Sequence, residues 1–202
     1  MAFTRAAVGA KITSTMYNEL VDAFGVIGLV RVVPTAVTNG SVDAAGLVQF
    51  SNVASVLIDG AFSSAYRVFK VEIGVQTLSA AVPWLQLRSG GTTDGSAVYD
   101  KQRLVVSSTT ATAAQQLAQP RWDAGVTAFT GYNIITLELA NVAQAEPTVG
   151  TVRNDATPNP MTTSAGSQVA TVQHRTLAGF DGLAIMASTG NISGWAKVYG
   201  YA

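Results

Sequence analysis

The stretch YRVFKVEIGV, Tyr66–Val75, decides the fold class. Phe69, Val71, Ile73 and Val75 fall on one side of an extended chain, and Lys70 and Glu72 on the other. That two-residue period belongs to a strand with one face on a core and one toward solvent. Working outward, further β-type runs occupy Val26–Val33, Val53–Ile58, Trp84–Arg88, Ala97–Val106 and Asn133–Ala140. Gln168–Leu177, Gly182–Ala187 and Gly194–Tyr201 complete the series, and Gly, Pro, Asn, Asp and Ser punctuate it. Short strands at fairly regular spacing with such turn signals predict a mainly β protein, an antiparallel β-sandwich of jelly-roll-like type.

Two stretches resist a strand reading. Ser107–Gln119, SSTTATAAQQLAQ, starts Thr-rich and turns to Ala and Gln, so it is expected as a loop with a helical turn. Asn154–Ser167, NDATPNPMTTSAGS, is expected as a long exposed loop within the body. The one helix pattern is Thr13–Phe24. Met16, Leu20 and Phe24 recur every fourth residue, Tyr17 and Val21 widen the stripe, Thr13 or Ser14 caps it and Gly25 ends it. At about three turns such a helix is marginal alone and needs a surface to dock on. The expected organisation is therefore an N-terminal arm with one helix and the first strand over 1–33, followed by a sandwich domain over 34–202.

Composition narrows the function classes. The chain has 202 residues, of which 48% are apolar, enough for a real core and one main domain. Apolar runs stay far below the roughly 20 residues of a membrane span, so no membrane partner is expected. Charged residues make up only 12%, about half the usual share, and twelve basic residues balance twelve acidic ones. An even, neutral scatter of charge argues against nucleic acid as a partner. The absence of cysteine removes disulfides, thiolate chemistry and Cys-based zinc sites. The first residues lack the apolar stretch of a signal peptide, so synthesis in a cytoplasm is expected.

Candidate chemistry is sparse. The single histidine, His174, lacks a recognisable nucleophile and orienting acid around it and is expected to be a structural or surface residue. The glycine-rich RSGGTTDGS, Arg88–Ser96, lacks phosphate-loop spacing and opens no helix, so a hairpin or edge loop is expected. Asp94 and Asp100 lack calcium-loop spacing and read as turn residues. Glu72 and Glu138 sit at polar-face positions, with Lys70 or Arg88 as candidate cross-strand partners. No catalytic, metal or cofactor residue is assigned. The aromatic residues supply candidate contacts: Trp84, Tyr99 and Trp122 for a glycan, and Trp195, Tyr199 and Tyr201, with Met16, Tyr17, Leu20 and Phe24 of the helix, for a subunit interface. Trp195, Lys197, Tyr199 and Tyr201 share one strand face, Ala196 and Val198 the other.

The ending AGFDGLAIMASTGNISGWAKVYGYA, Ala178–Ala202, resembles the closing segment of tailed-bacteriophage virion proteins. The likeness rests on the turn at Asp181 and Gly182, the turn at Gly190, Ile192 and Gly194, and the final Val198, Tyr199, Gly200 and Tyr201. Phe62–Ile73, followed by LQLRSGGTTDGSAVYD at Leu85–Asp100, resembles a second block of the same proteins. Ile12–Phe24 is similar to the short helical openings of phage tail and appendage proteins. The resemblance implies a location on the virion exterior, self-association as a homotrimer or other symmetric oligomer, and attachment to a major capsid protein or tail protein. The expected function is that of a head decoration or minor capsid protein. The alternative is a minor tail or receptor-binding protein that recognises host surface carbohydrate, and an enzyme is not expected.

Overall fold

The computed structural model describes residues 28–107, 110–125, 129–158 and 166–201, and the expected helix, with Met16, Tyr17, Leu20 and Phe24, lies outside them. Among the described residues all regular structure is β, and every strand pairing is antiparallel. The strands in chain order are β1 (Leu29–Val32), β2 (Ala36–Thr38), β3 (Ser41–Val42), β4 (Val48–Val53), β5 (Ser55–Asp59), β6 (Val68–Ala81), β7 (Pro83–Ser89) and β8 (Thr92–Thr93). They continue with β9 (Tyr99–Ser107), β10 (Thr110–Gln119), β11 (Trp122–Asp123), β12 (Phe129–Ala140), β13 (Thr148–Pro158), β14 (Gly166–His174), β15 (Gly182–Ala187) and β16 (Ile192–Tyr201).

The larger sheet runs β10-β9-β14-β13-β12-β6-β16-β4-β3, with β1 beside the last residues of β16. The smaller runs β11-β7-β15-β5-β2, with β8 folded back on β7. The expected alternation of Tyr66–Val75 is realised in β6, where Phe69, Val71, Ile73 and Val75 are all buried. Beside them, Ile135, Leu137 and Leu139 of β12 and Ala196 and Val198 of β16 line the same inner face. Val56 and Ile58 of β5, Leu85 and Leu87 of β7, and Leu183 and Ile185 of β15 close the core from the smaller sheet. Each such aliphatic side chain contributes about 1.5–3 kcal/mol by leaving water.

Two expectations are corrected. Residues 110–119 are not a loop with a helical turn but β10, paired in register with β9 from Thr110 opposite Ser107 to Gln116 opposite Lys101. Thr148–Pro158 is β13, so the expected loop from Asn154 begins as strand, and Asn154 itself is fully buried. Strand β1 pairs with β16, with Val32 opposite Val198 and Arg31 opposite Tyr199.

The glycine-rich loop is a hairpin between β7 and β8, as expected. Gly90 and Gly91 turn it with φ of 56° and 78°, the left-handed region that glycine enters without a steric penalty. Arg88 organises the turn from within: it is buried, its Nη2 donates to the Gly91 carbonyl at 2.6 Å, and Asp59 of β5 accepts two bonds from it, at 2.8 and 3.2 Å. Such a fork fixes geometry as well as charge. Asp59→Ala leaves the guanidinium buried without its counter-charge and is expected to cost about 3–5 kcal/mol in urea denaturation. A loss under about 1 kcal/mol would show that the pair does not hold β5 to the hairpin.

Candidate binding surface

Beyond β12 the inner face of the larger sheet mixes apolar side chains, Val152, Ala156, Ala170 and Val172, with buried polar ones. Lys101 of β9, Asn154 of β13 and Gln168 of β14 point inward and are buried. They meet the backbone of the segment that follows β10. Lys101 Nζ donates to the Asp123 carbonyl at 2.6 Å, Asn154 Nδ2 to the Ala124 carbonyl at 2.8 Å, and Gln168 Nε2 to the Asp123 carbonyl at 3.5 Å. Side-chain donors thus supply carbonyls that a two-residue strand leaves without ladder partners, as a buried backbone requires. Trp122 fills the space between, its Nε1 donating to the carbonyls of Asp100 and Gln173.

His174 is fully buried at the other end of β14. Its Nε2 lies 2.8 Å from Asp94 Oδ2, and the rings of Tyr99 and Phe180 meet it edge-on at 4.5 and 4.7 Å. Burial pushes the imidazole below its ordinary pKa, against the pull of the Asp94 carboxylate. Burial would raise the Asp94 carboxyl, but hydrogen bonds from the Ser96 side chain and backbone and from His174 outweigh it and hold it below the usual range. Ser96 bonds to Asp94 and not to the imidazole, so the three groups do not make a nucleophile–base–acid chain. The Asp94 carbonyl accepts from the Tyr99 hydroxyl, which in turn accepts from the Leu87 amide. Of the two expected placements, structural or surface, the histidine takes the buried one, where it pins the glycine-rich loop to the larger sheet.

The outer face of the larger sheet is the open one. Its end beside Tyr201 carries Lys70, which pairs with Glu72 at 2.8 Å and stands opposite Glu138, while Arg88 has no part in that set. Trp195 lies flat on Gly74, where a β-carbon would collide with the indole, and Lys197 approaches its ring at 5.3 Å. Tyr199 is half-buried, and Tyr201, 38% exposed, donates to Glu138. Trp195, Tyr199 and Tyr201 therefore share the outward face, with Ala196 and Val198 in the core.

Toward β10 the same face changes character. A row of hydroxyls and amides crosses four strands in register, Thr151, Thr171, Gln102 and Gln115. Beside it run Val149, Gln173 and Asp100, and with Leu117 these residues bound an open groove of about 500 Å³. Asp100 is held in place by Arg175 at 3.2 Å and by the Ala118 amide at 2.8 Å. Farther along the strands lie exposed Leu104, Val106, Tyr132, Ile134 and Val169, with the Arg153–Asp155 pair on β13 between them.

The aromatic residues expected to touch a glycan are placed otherwise. Tyr99 and Trp122 are 0% and 1% exposed and pack edge to face at 5.1 Å, so neither offers a ring to a ligand. Trp84 is half-buried, its ring covered by the Arg121 guanidinium at 3.4 Å. The groove residues carried no motif; only the alternation of β9 and β14 could have pointed to them.

No protein-family model and no curated protein matches the chain. Among solved structures it is similar to the CBM2 module of the Lactobacillus casei BL23 phage J-1 evolved Dit, at 12% identity and a TM-score of 0.25, over 81% of this chain and 90% of that one. A superposition that loose transfers no function.

The buried Lys101 makes the polar layer measurable. Burial lowers its pKa to about 8, against an opposing pull from Asp123. In the unfolded chain it stays protonated to its ordinary 10.5, so the unfolded state binds more protons between those values and stability rises with pH. Unfolding free energy should increase by about 2 kcal/mol from pH 7.5 to 9.5. In Lys101→Met the rise should vanish, and a wild-type curve flat over that window would refute the burial of a titrating ammonium there.

Proposed function

We propose that the chain is a non-catalytic structural subunit of a tailed-phage virion, carried on the particle exterior as a head decoration or minor capsid protein. The observation that carries this reading is the outer face of the larger sheet. It exposes Leu104, Val106, Tyr132, Ile134 and Val169 on a regular, weakly charged surface. Exposed apolar groups gathered on one face are suited to packing against protein. The side chains with chemical potential are committed elsewhere: His174 to Asp94, Arg88 to Asp59 and Lys101 to a carbonyl. The segments that resemble phage virion proteins supply β6, β7, β15 and β16, which are central strands of the two sheets. On this reading the sheet face and the Trp195–Tyr201 strand contact neighbouring subunits or the shell, and the virion is stabilised by burial on assembly. Immunogold labelling of intact particles should place an antibody to this chain densely over heads, and label confined to the tail would overturn the head assignment.

The groove favours a second reading, a tail or receptor-binding protein that takes host surface carbohydrate. Amides and hydroxyls from Gln102, Gln115, Gln173, Thr151 and Thr171 are the donors and acceptors that sugar hydroxyls need, and Leu117 and Val149 offer apolar area for ring faces. If that reading holds, purified host surface polysaccharide binds the chain saturably, and Gln102→Ala together with Gln173→Ala weakens binding at least about tenfold, a loss of about 1.4 kcal/mol. Absence of any saturable binding would remove it.

A further inference from the structure

The edges of the two sheets differ in how they are protected. Strands β2, β3, β8 and β11 are edges of two or three residues, too short to template another chain. Strand β10 has ten residues and, among the described residues, pairs only with β9. Its sequence, TATAAQQLAQ, contains no charged residue and no proline, the usual devices that keep an edge from pairing. Thr110–Gln116 keeps unbroken register with β9, and irregularity is confined to 116–119, where Ala118 turns with φ of 52°. Thr110, Ala111, Thr112 and Ala113 are exposed, so neither face of this half of the strand is covered.

We propose that β10 is a self-pairing edge, joining antiparallel to β10 of a second copy about a two-fold axis near Ala113, so that the two larger sheets become one. A two-fold antiparallel pairing sets each residue near the axis opposite itself or a close neighbour. Any charge there would face its own copy, and β10 has none. The sheet face also fits. The row Val169, Leu104, Ala113 runs in register to the edge and ends there exposed. With Ala113 opposite its own copy, the same row continues across the axis. The pairing is two-fold and gives a dimer, which falls among the symmetric oligomers that the phage resemblance implies and differs from a homotrimer. It rests on the edge alone and stands whatever the virion location.

Light scattering coupled to size exclusion should give the wild-type chain twice its 20.9 kDa mass. Ala113→Lys and Ala113→Glu should each run at the single-chain mass with an unchanged β circular dichroism spectrum, and an equimolar mixture of the two should recover the doubled mass. A second readout needs no variant: the alternate amides of Thr110–Gln116 that point away from β9 should lose hydrogen-exchange protection in the wild type on dilution through the dissociation range, while those bonded to β9 keep theirs. A wild-type chain of single mass, a trimer, variants that stay dimeric, or protection of the outward amides that is independent of concentration would each overturn the pairing.

Discussion

Phe69, Val71, Ile73 and Val75 alternate along β6, and the closed inner face they make with β12 and β16 is what both sheets are built against. The strand is fourteen residues long and is flanked on both sides by long partners, so its backbone groups are paired along nearly its whole length. A slip of one residue would carry Lys70 and Glu72 inward and all four apolar side chains outward. Register in β12 and β16 is fixed by the same requirement, and the smaller sheet docks only because that face is apolar. The Gly74–Trp195 contact follows from it on the outer side: with the inner face committed, the indole lies over the one position in the strand that has no side chain.

A sheet this wide raises a second problem, which is how to cover its inner face where the smaller sheet ends. The chain does so with the segment around β11, whose backbone would be orphaned if the strands above were apolar. Lys101, Asn154 and Gln168 supply donors to it, and a buried ammonium is tolerated because a carbonyl and the nearby Asp123 offset part of its desolvation. The polar inner layer and the covering segment therefore depend on one another. The same logic holds at the hairpin, where Arg88 serves both Asp59 and the turn carbonyl.

The elements with a two-residue alternation are legible in the sequence, β6, β7, β12 and β16, and so is β15 as a short apolar run between turn signals. The two misread strands lack that signal for physical reasons. β10 is an exposed edge, so nothing forces apolar residues into alternate positions, and its Ala and Gln content imitates a helix. β13 turns Asn154 inward, a residue that reads as a loop former unless its partners, the Ala124 carbonyl and Asn133, are known. Tyr99 and Trp122 were misplaced because an aromatic residue in a strand gives no sign of which face it takes. His174 reads in sequence as a structural or surface residue, because the partner that fixes its burial, Asp94, is eighty residues away.

The low charge of the chain then acquires a structural meaning. Several of its ionisable side chains are occupied at fixed positions, Arg88 with Asp59, Lys101 with the covering segment, Lys70 with Glu72, Arg175 with Asp100 and His174 with Asp94. What they leave on the open face is a surface of threonine, glutamine, alanine and branched aliphatic residues laid out in register. Such a surface generates little long-range field, so it gains little from electrostatic steering and must recognise by shape and short-range hydrogen bonding. It also imposes little repulsion between copies brought close together. A regular sheet face of this kind suits repeated contact with a partner of matching geometry, where many modest interactions add, more than it suits the capture of one reacting group, which requires convergent, preorganised charge.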